Sequence, residues 1–120
     1  MARSHRLGAN GEACAARFLE DTGWRILARN YRFGHREIDM IARRGRVVAF
    51  VEVKTRASAL WGHPLLAIDA RKRGEIERVA RVWLERHGRR GDVFRFDAIA
   101  VHRSDEGTLR VEHVEDAWRL

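Results

Sequence analysis

Five consecutive apolar residues, Val47-Val48-Ala49-Phe50-Val51, run between a turn signal and an abruptly polar stretch, Glu52-Val53-Lys54. A strand that is apolar at every position has no face to turn to water, so it must lie inside a sheet with cover on both sides. Upstream, residues 37–43 read as a second strand, and Arg44-Gly45-Arg46 supplies the turn of a β-hairpin between the two. Two helices are also legible. Residues 9–21 carry an inward stripe of Ala9, Ala13, Ala16 and Leu19, with Asn10 as N-cap and Gly23 as stop. Asp69 can cap a second helix reaching His87, with Ile76, Val79, Ala80, Trp83 and Leu84 on its buried side and Gly88 ending it. Residues 24–31, 93–102 and 108–114 read as further strands, and residues 56–64 as the longest irregular stretch. The order is helix, three strands, helix, two strands, with no repeat and no linker.

At 120 residues the chain suits a single domain, residues 1–120, with a core of its own. Its one cysteine, Cys14, excludes an internal disulfide and a Cys-rich zinc cage, and a reducing, cytoplasmic compartment is expected. No apolar leader and no membrane-length apolar run is present, so no membrane association is expected. The net charge of +7 should attract polyanions, nucleic acid first among them. The 24 basic residues comprise 22 arginines and two lysines, Lys54 and Lys72. Base composition of the genome accounts for such a skew as readily as binding does. In a chain that writes Arg wherever a positive charge suffices, however, a retained Lys points to a need for an amine.

Successive strand residues alternate faces, so Glu52 and Lys54 emerge together. Asp39 lies six residues before Gly45 and Glu52 seven after it, so the hairpin brings the two carboxylates within one or two residue steps. Adjacent carboxylates repel, and hard oxygen ligands of this kind favour Mg²⁺ or Mn²⁺ over zinc. Such an ion polarises a phosphodiester and lowers the pKa of a bound water. An amine beside it, Lys54, can orient or deprotonate that water, which a guanidinium cannot. On the first helix Glu12 falls within the inward stripe.

Asp39, Glu52-Val53-Lys54 and Glu12 together resemble the active-site pattern of the restriction-endonuclease-like, or PD-(D/E)XK, superfamily. A wider ordered set is similar to the YraN-like family of uncharacterised bacterial proteins. It comprises Gly8, Gly11-Glu12, Ala15, Asn30, Arg32, Glu37-Ile38-Asp39, Phe50 to Arg56, Gly62, Lys72 and Arg95-Phe96-Asp97. The resemblance spans almost the whole chain. It implies an α/β sandwich with a central mixed β-sheet of about five strands flanked by helices, akin to archaeal Holliday junction resolvases. It also implies nuclease-type machinery. With Glu52 and Lys54 on one face and Asp39 across the hairpin, the expected activity is that of a metal-dependent endonuclease, structure-selective on branched DNA in repair or recombination, with DNA ahead of RNA as partner. Asp39 and Glu52 would then be metal ligands, Lys54 the catalytic amine and Glu12 a further catalytic carboxylate. Ile38 stands where the superfamily pattern has Pro, and Arg36 where the YraN-like family carries Gly.

Each assignment has a plainer counterpart. Glu12 would complement the helix dipole, Asp39 and Glu52 would pair with arginines, and Lys54 would be a strand-end cation. Arg43, Arg44, Arg56, Lys72 and Arg73 are candidate phosphate contacts, and Trp61 a candidate for base stacking. A solvated arginine surface and a loop-packing tryptophan account for the same residues. Asp97 reads as a structural tie between strands. A non-catalytic nucleic-acid-binding or docking module on the same fold is the alternative function. A chain this short has little surface for target selection, which suits a homodimer or a larger protein complex.

Overall fold

The computed structural model describes residues 2–56 and 68–119, with side chains for residues 11–55 and 68–119. Its elements are α1 (Ala2–Asp21), β1 (Arg25–Phe33), β2 (Arg36–Arg44), β3 (Val47–Arg56), α2 (Ala70–His87), β4 (Val93–Arg103) and β5 (Leu109–Trp118). The strands form one sheet in the order β1-β2-β3-β4-β5, parallel between β3 and β4 and antiparallel elsewhere. The α/β sandwich with a mixed five-stranded sheet is therefore present, and the apolar strand β3 is its middle member.

Helix α1 begins at Ala2, so Asn10 lies inside it and does not cap it. Nothing between Ser4 and Gly8 is a strong helix breaker, since an interior Gly costs only about 1 kcal/mol. The helix ends where Trp24 N–H reaches back to the Leu19 carbonyl at 2.9 Å, with Gly23 at φ 94° turning the chain. Helix α2 starts as expected, the Asp69 side chain accepting from Lys72 N–H at 2.9 Å. Residues 57–64, with Trp61 and Gly62, lie outside the described residues.

Alternation along β3 divides the core into two layers. Val48 and Phe50 pack with Ile76, Val79, Ala80 and Trp83 of α2, and Phe50 meets the Trp83 ring edge-on at 5.8 Å. Ala49, Val51 and Val53 pack with Ala15, Ala16 and Leu19 of α1. Val48, Ala49, Phe50 and Val51 are all fully buried. Burial of each larger side chain among them contributes roughly 1.5–3 kcal/mol. Helix α1 crosses the end of β3 so closely that a Cβ on Gly11 would run into the Thr55 hydroxyl, which brings Glu12 to the same end of the sheet. Helix α2 packs on β2 and β1, so its first turn stands beside the polar end of β3.

The last strand runs four residues beyond the expected Val114, to Trp118. A register shift between Phe96 and Ala98 gives β5 extra residues opposite Asp97, and one of them, Asp116, adopts φ 51°. The Asp97 carboxylate satisfies this bulge by accepting from Asp116 N–H at 2.9 Å. It also binds Arg95 at 3.0 and 3.1 Å and His113 Nε2 at 2.8 Å. Burial alone would push the Asp97 pKa up, but bonds from His113, the Asp116 amide and Arg95 hold it below the ordinary value. Asp97 faces the α1 side of the sheet, away from Glu52, and is the structural tie its position suggested. Among the described residues no helix is long and apolar enough to cross a membrane.

Candidate active site

Hairpin geometry builds the site. Gly45, at φ 62°, takes the first position of a two-residue turn, the pattern of a type II′ hairpin. It sets the pairs from Arg44↔Val47 through Met40↔Val51. One further step would place Asp39 opposite Glu52. There the backbone ladder stops and the Asp39 side chain takes over, its Oδ2 accepting from Val53 N–H at 2.8 Å. That bond turns the Asp39 carboxylate onto β3, close enough to Glu52 for the two carboxyl groups to share a hydrogen bond when one is protonated.

Glu52 is 1% exposed and shares the α2 face of β3 with Phe50 and Lys54. Its Oε2 is buried and has no hydrogen-bond partner among the described residues. Lys72 Nζ stands 3.4 Å from that oxygen, an ion pair that falls short of a hydrogen bond. Burial, then the hydrogen bond with Asp39 and the charge of Asp39, push the Glu52 pKa up to about 8, while Lys72 and Lys54 pull it down.

The sign of this shift gives a stability prediction. Unfolded Glu52 releases its proton near 4.5 and folded Glu52 near 8. Across that window the folded state holds the extra proton, so this group lowers stability as pH rises through it. Glu52→Gln removes the titration. Thermal unfolding without metal should find wild type and variant alike near pH 4.5 and the variant more stable at pH 8.5, by roughly 2 kcal/mol. Parallel curves over that range would show that Glu52 titrates as an ordinary surface acid.

Glu12 meets this group from the α1 side. Desolvation first, then the charges of Asp39 and Glu37, raise its pKa, while Arg29 and Asn30 lower it. Glu12 is thus a neighbour of Asp39. Asn30 links it to Glu37: with the amide oriented to suit its surroundings, Asn30 donates to Glu12 Oε1 and Glu37 Oε1 at 3.3 Å each. Asn30 adopts φ 52°, a left-handed conformation that Asn tolerates better than most residues. The roles of Asn30 and Glu37 were not legible beforehand, since neither carries a local pattern beyond its place in the family motif.

The arginine candidates are dispersed. Arg43 lies at the hairpin end of β2, about 13 Å along the strand from Asp39. Its guanidinium forms a two-pronged pair with Asp92 at 2.8 and 3.0 Å, which holds the Asp92 pKa down to about 2. Arg44 stacks over Trp24 at 4.4 Å and approaches Glu115 at 3.5 Å. Arg73 donates to the Ile68 carbonyl at 3.0 Å and lies 5.4 Å over the Trp118 ring. Arg56 ends β3, and its side chain and Trp61 fall outside the described set. Of the candidate phosphate contacts with described side chains, Lys72 is the one paired with a site carboxylate.

The donor set suits a hard divalent cation. Among the described residues no group of three or more His, Cys, Asp and Glu side chains is placed to hold a metal ion. They do include two neighbouring carboxylates, Asp39 and Glu52, with one buried oxygen, Glu52 Oε2, that no described donor satisfies and that Lys72 faces. Mg²⁺ needs no more than this from a protein, since it keeps several waters and takes substrate phosphate oxygens as ligands.

A mixed sheet covered by a helix on each side, with two carboxylates and an amine at the end of its central strand, defines a nuclease-like α/β sandwich. The profile of "Uncharacterised protein family UPF0102" matches residues 11–101, and the chain belongs to that family, the YraN-like proteins. A UPF0102 protein of Parafrankia sp. (strain EAN1pec) is 44% identical over 98% of this chain and all of its own length. One from Chlorobium chlorochromatii (strain CaD3) is 44% identical over 93% of this chain and 90% of its own. One from Geobacter sulfurreducens is 41% identical over 95% of this chain and 89% of its own.

Proposed function

We propose that this protein is a metal-dependent phosphodiesterase acting on nucleic acid, an endonuclease that selects its target by shape, with DNA ahead of RNA and branched DNA of repair or recombination foremost. The observation that carries the reading is Glu52: a carboxylate 1% exposed, set beside Asp39, with an oxygen that no donor among the described residues satisfies. Leaving such a group unpaired is costly, and folds retain it where a ligand completes it.

Asp39 and Glu52 would hold Mg²⁺ or Mn²⁺. The bound ion would polarise the phosphodiester and lower the pKa of a coordinated water. Lys54, on the same strand face as Glu52, directs its amine to the attacking water or to the phosphate charge. Asp39 is positioned by its bond to Val53 N–H, and Glu12 adds negative charge behind it. The net charge of +7 draws the polyanion in.

A second reading is favoured by the Glu52–Lys72 contact: if that pair is purely structural, the fold serves as a binding or docking module without chemistry. One assay separates the two. Labelled duplex, single-stranded, flapped and four-way DNA and a structured RNA are incubated with Mn²⁺, Mg²⁺ or EDTA. Products that require metal and are richest from branched DNA support the nuclease. Salt-sensitive binding with no product from any substrate in either metal supports the module.

A further inference from the structure

Both lysines of this arginine-rich chain act on one carboxylate. Lys54 acts on Glu52 through its charge from the same strand face, and Lys72 reaches it from the first turn of α2. Asp69 sets the second approach. By accepting from Lys72 N–H at 2.9 Å it fixes the start of α2, so that position 72 continues the inward stripe of Ile76, Val79, Ala80 and Trp83. The side chain is 35% exposed, whereas Glu52's is 2% exposed, so the ammonium can swing outward while the carboxylate cannot follow. An ammonium is a compact charge with three rotatable donors. An arginine fork would ask for two parallel acceptors, whereas Lys72 faces the single oxygen Glu52 Oε2.

We propose that Lys72 is a second substrate-contacting amine of this site, standing at Glu52 Oε2 in the metal-free protein as a placeholder for the divalent cation and released to a phosphate oxygen of the nucleic acid when the cation takes that oxygen. The proposal rests on the metal-dependent reading above. A dication and an ammonium repel each other at a single buried oxygen, so occupancy by one displaces the other. The displaced ammonium is then left beside the bound ion, where the phosphate charge lies.

The test compares wild type, Lys72→Met, which keeps the apolar stem, and Arg71→Met, which removes a charge one residue away on a side chain that is 89% exposed. Mn²⁺ binding is measured by calorimetry, and binding of a four-way DNA junction by anisotropy in Ca²⁺ over a salt series. For Lys72→Met the Mn²⁺ Kd should fall about 5- to 10-fold. Its DNA affinity should drop about 3- to 10-fold, with the slope of log K against log salt reduced by about one. Arg71→Met should change the Mn²⁺ Kd less than about twofold. Metal and DNA affinities moving in opposite directions at one residue is a signature that a merely structural lysine does not produce. An unchanged Mn²⁺ Kd in Lys72→Met, an equal gain in Arg71→Met, or an unaltered salt slope overturns the proposal while leaving the metal site standing. Absence of Mn²⁺ uptake by both wild type and Lys72→Met overturns the metal-dependent reading, and this one with it.

Discussion

Replacing Glu52 by Gln, or Asp39 by Asn, is expected to lower Mn²⁺-dependent cleavage by about 10³-fold or more while leaving the protein folded. A catalytic divalent ion supplies several kcal/mol of charge stabilisation in phosphoryl chemistry, and each 1.36 kcal/mol is tenfold in rate. The amide replacements matter for the comparison. Asp39→Ala would strand the Val53 N–H, a buried donor whose loss of a partner costs about 1–3 kcal/mol, so a dead enzyme could simply be a loosened one. Asn can still accept from that N–H but offers the ion a neutral oxygen. Gln at position 52 removes a buried charge, so its loss of activity should accompany a gain in stability at alkaline pH. Single-turnover cleavage of the best substrate, with circular dichroism melts of the same preparations, reads both quantities. Activity within tenfold of wild type in both variants would remove these two carboxylates from the chemistry.

Asp97→Ala should produce the largest loss of stability, about 3–5 kcal/mol, the range measured when one partner of a buried ion pair is removed. Asp97 is fully buried and accepts from Arg95, His113 Nε2 and Asp116 N–H, so its removal leaves the amide at a strained bulge without its acceptor and the Arg95 guanidinium with Glu115 as its remaining acceptor. For a chain of this length that corresponds to a fall in melting temperature of roughly 10–20 °C. Because its folded pKa lies below the ordinary value, the stability that Asp97 contributes is present above the unfolded pKa and is lost as pH falls through the folded one. The gap between wild type and variant should therefore narrow in acid. As Asp97 faces away from Glu52, Mn²⁺ affinity measured below the lowered melting point should stay within about threefold of wild type. A melting temperature within a few degrees of wild type would show that Arg95 and His113 find other partners.

The hairpin was legible because its signals are local. Gly45 permits the turn, alternation sets the faces, and counting from the turn brings Asp39 to Glu52. Helix α2 was legible for the same reason, from the Asp69 cap to the stop at Gly88. The start of α1 was not: Asn10 is a good cap residue, but eight more residues upstream also take helical conformation, and only packing and neighbours decide whether a cap is used. The end of β5 was hidden because Asp116 at positive φ breaks the alternation, and its acceptor, Asp97, lies on another strand.

From periodicity and turn chemistry, which act over a few residues, the sequence by itself determined the order of helices and strands, the covered middle strand and the convergence of Asp39 with Glu52. The α/β sandwich was legible through the family resemblance, and the scarcity of lysine from composition. Tertiary structure alone decided that Lys72 meets Glu52, that Arg43 is committed to Asp92 at the far end of the hairpin, and that Asn30 joins Glu12 to Glu37. Those contacts depend on where separate elements come to rest, and that is set by close packing of the whole core.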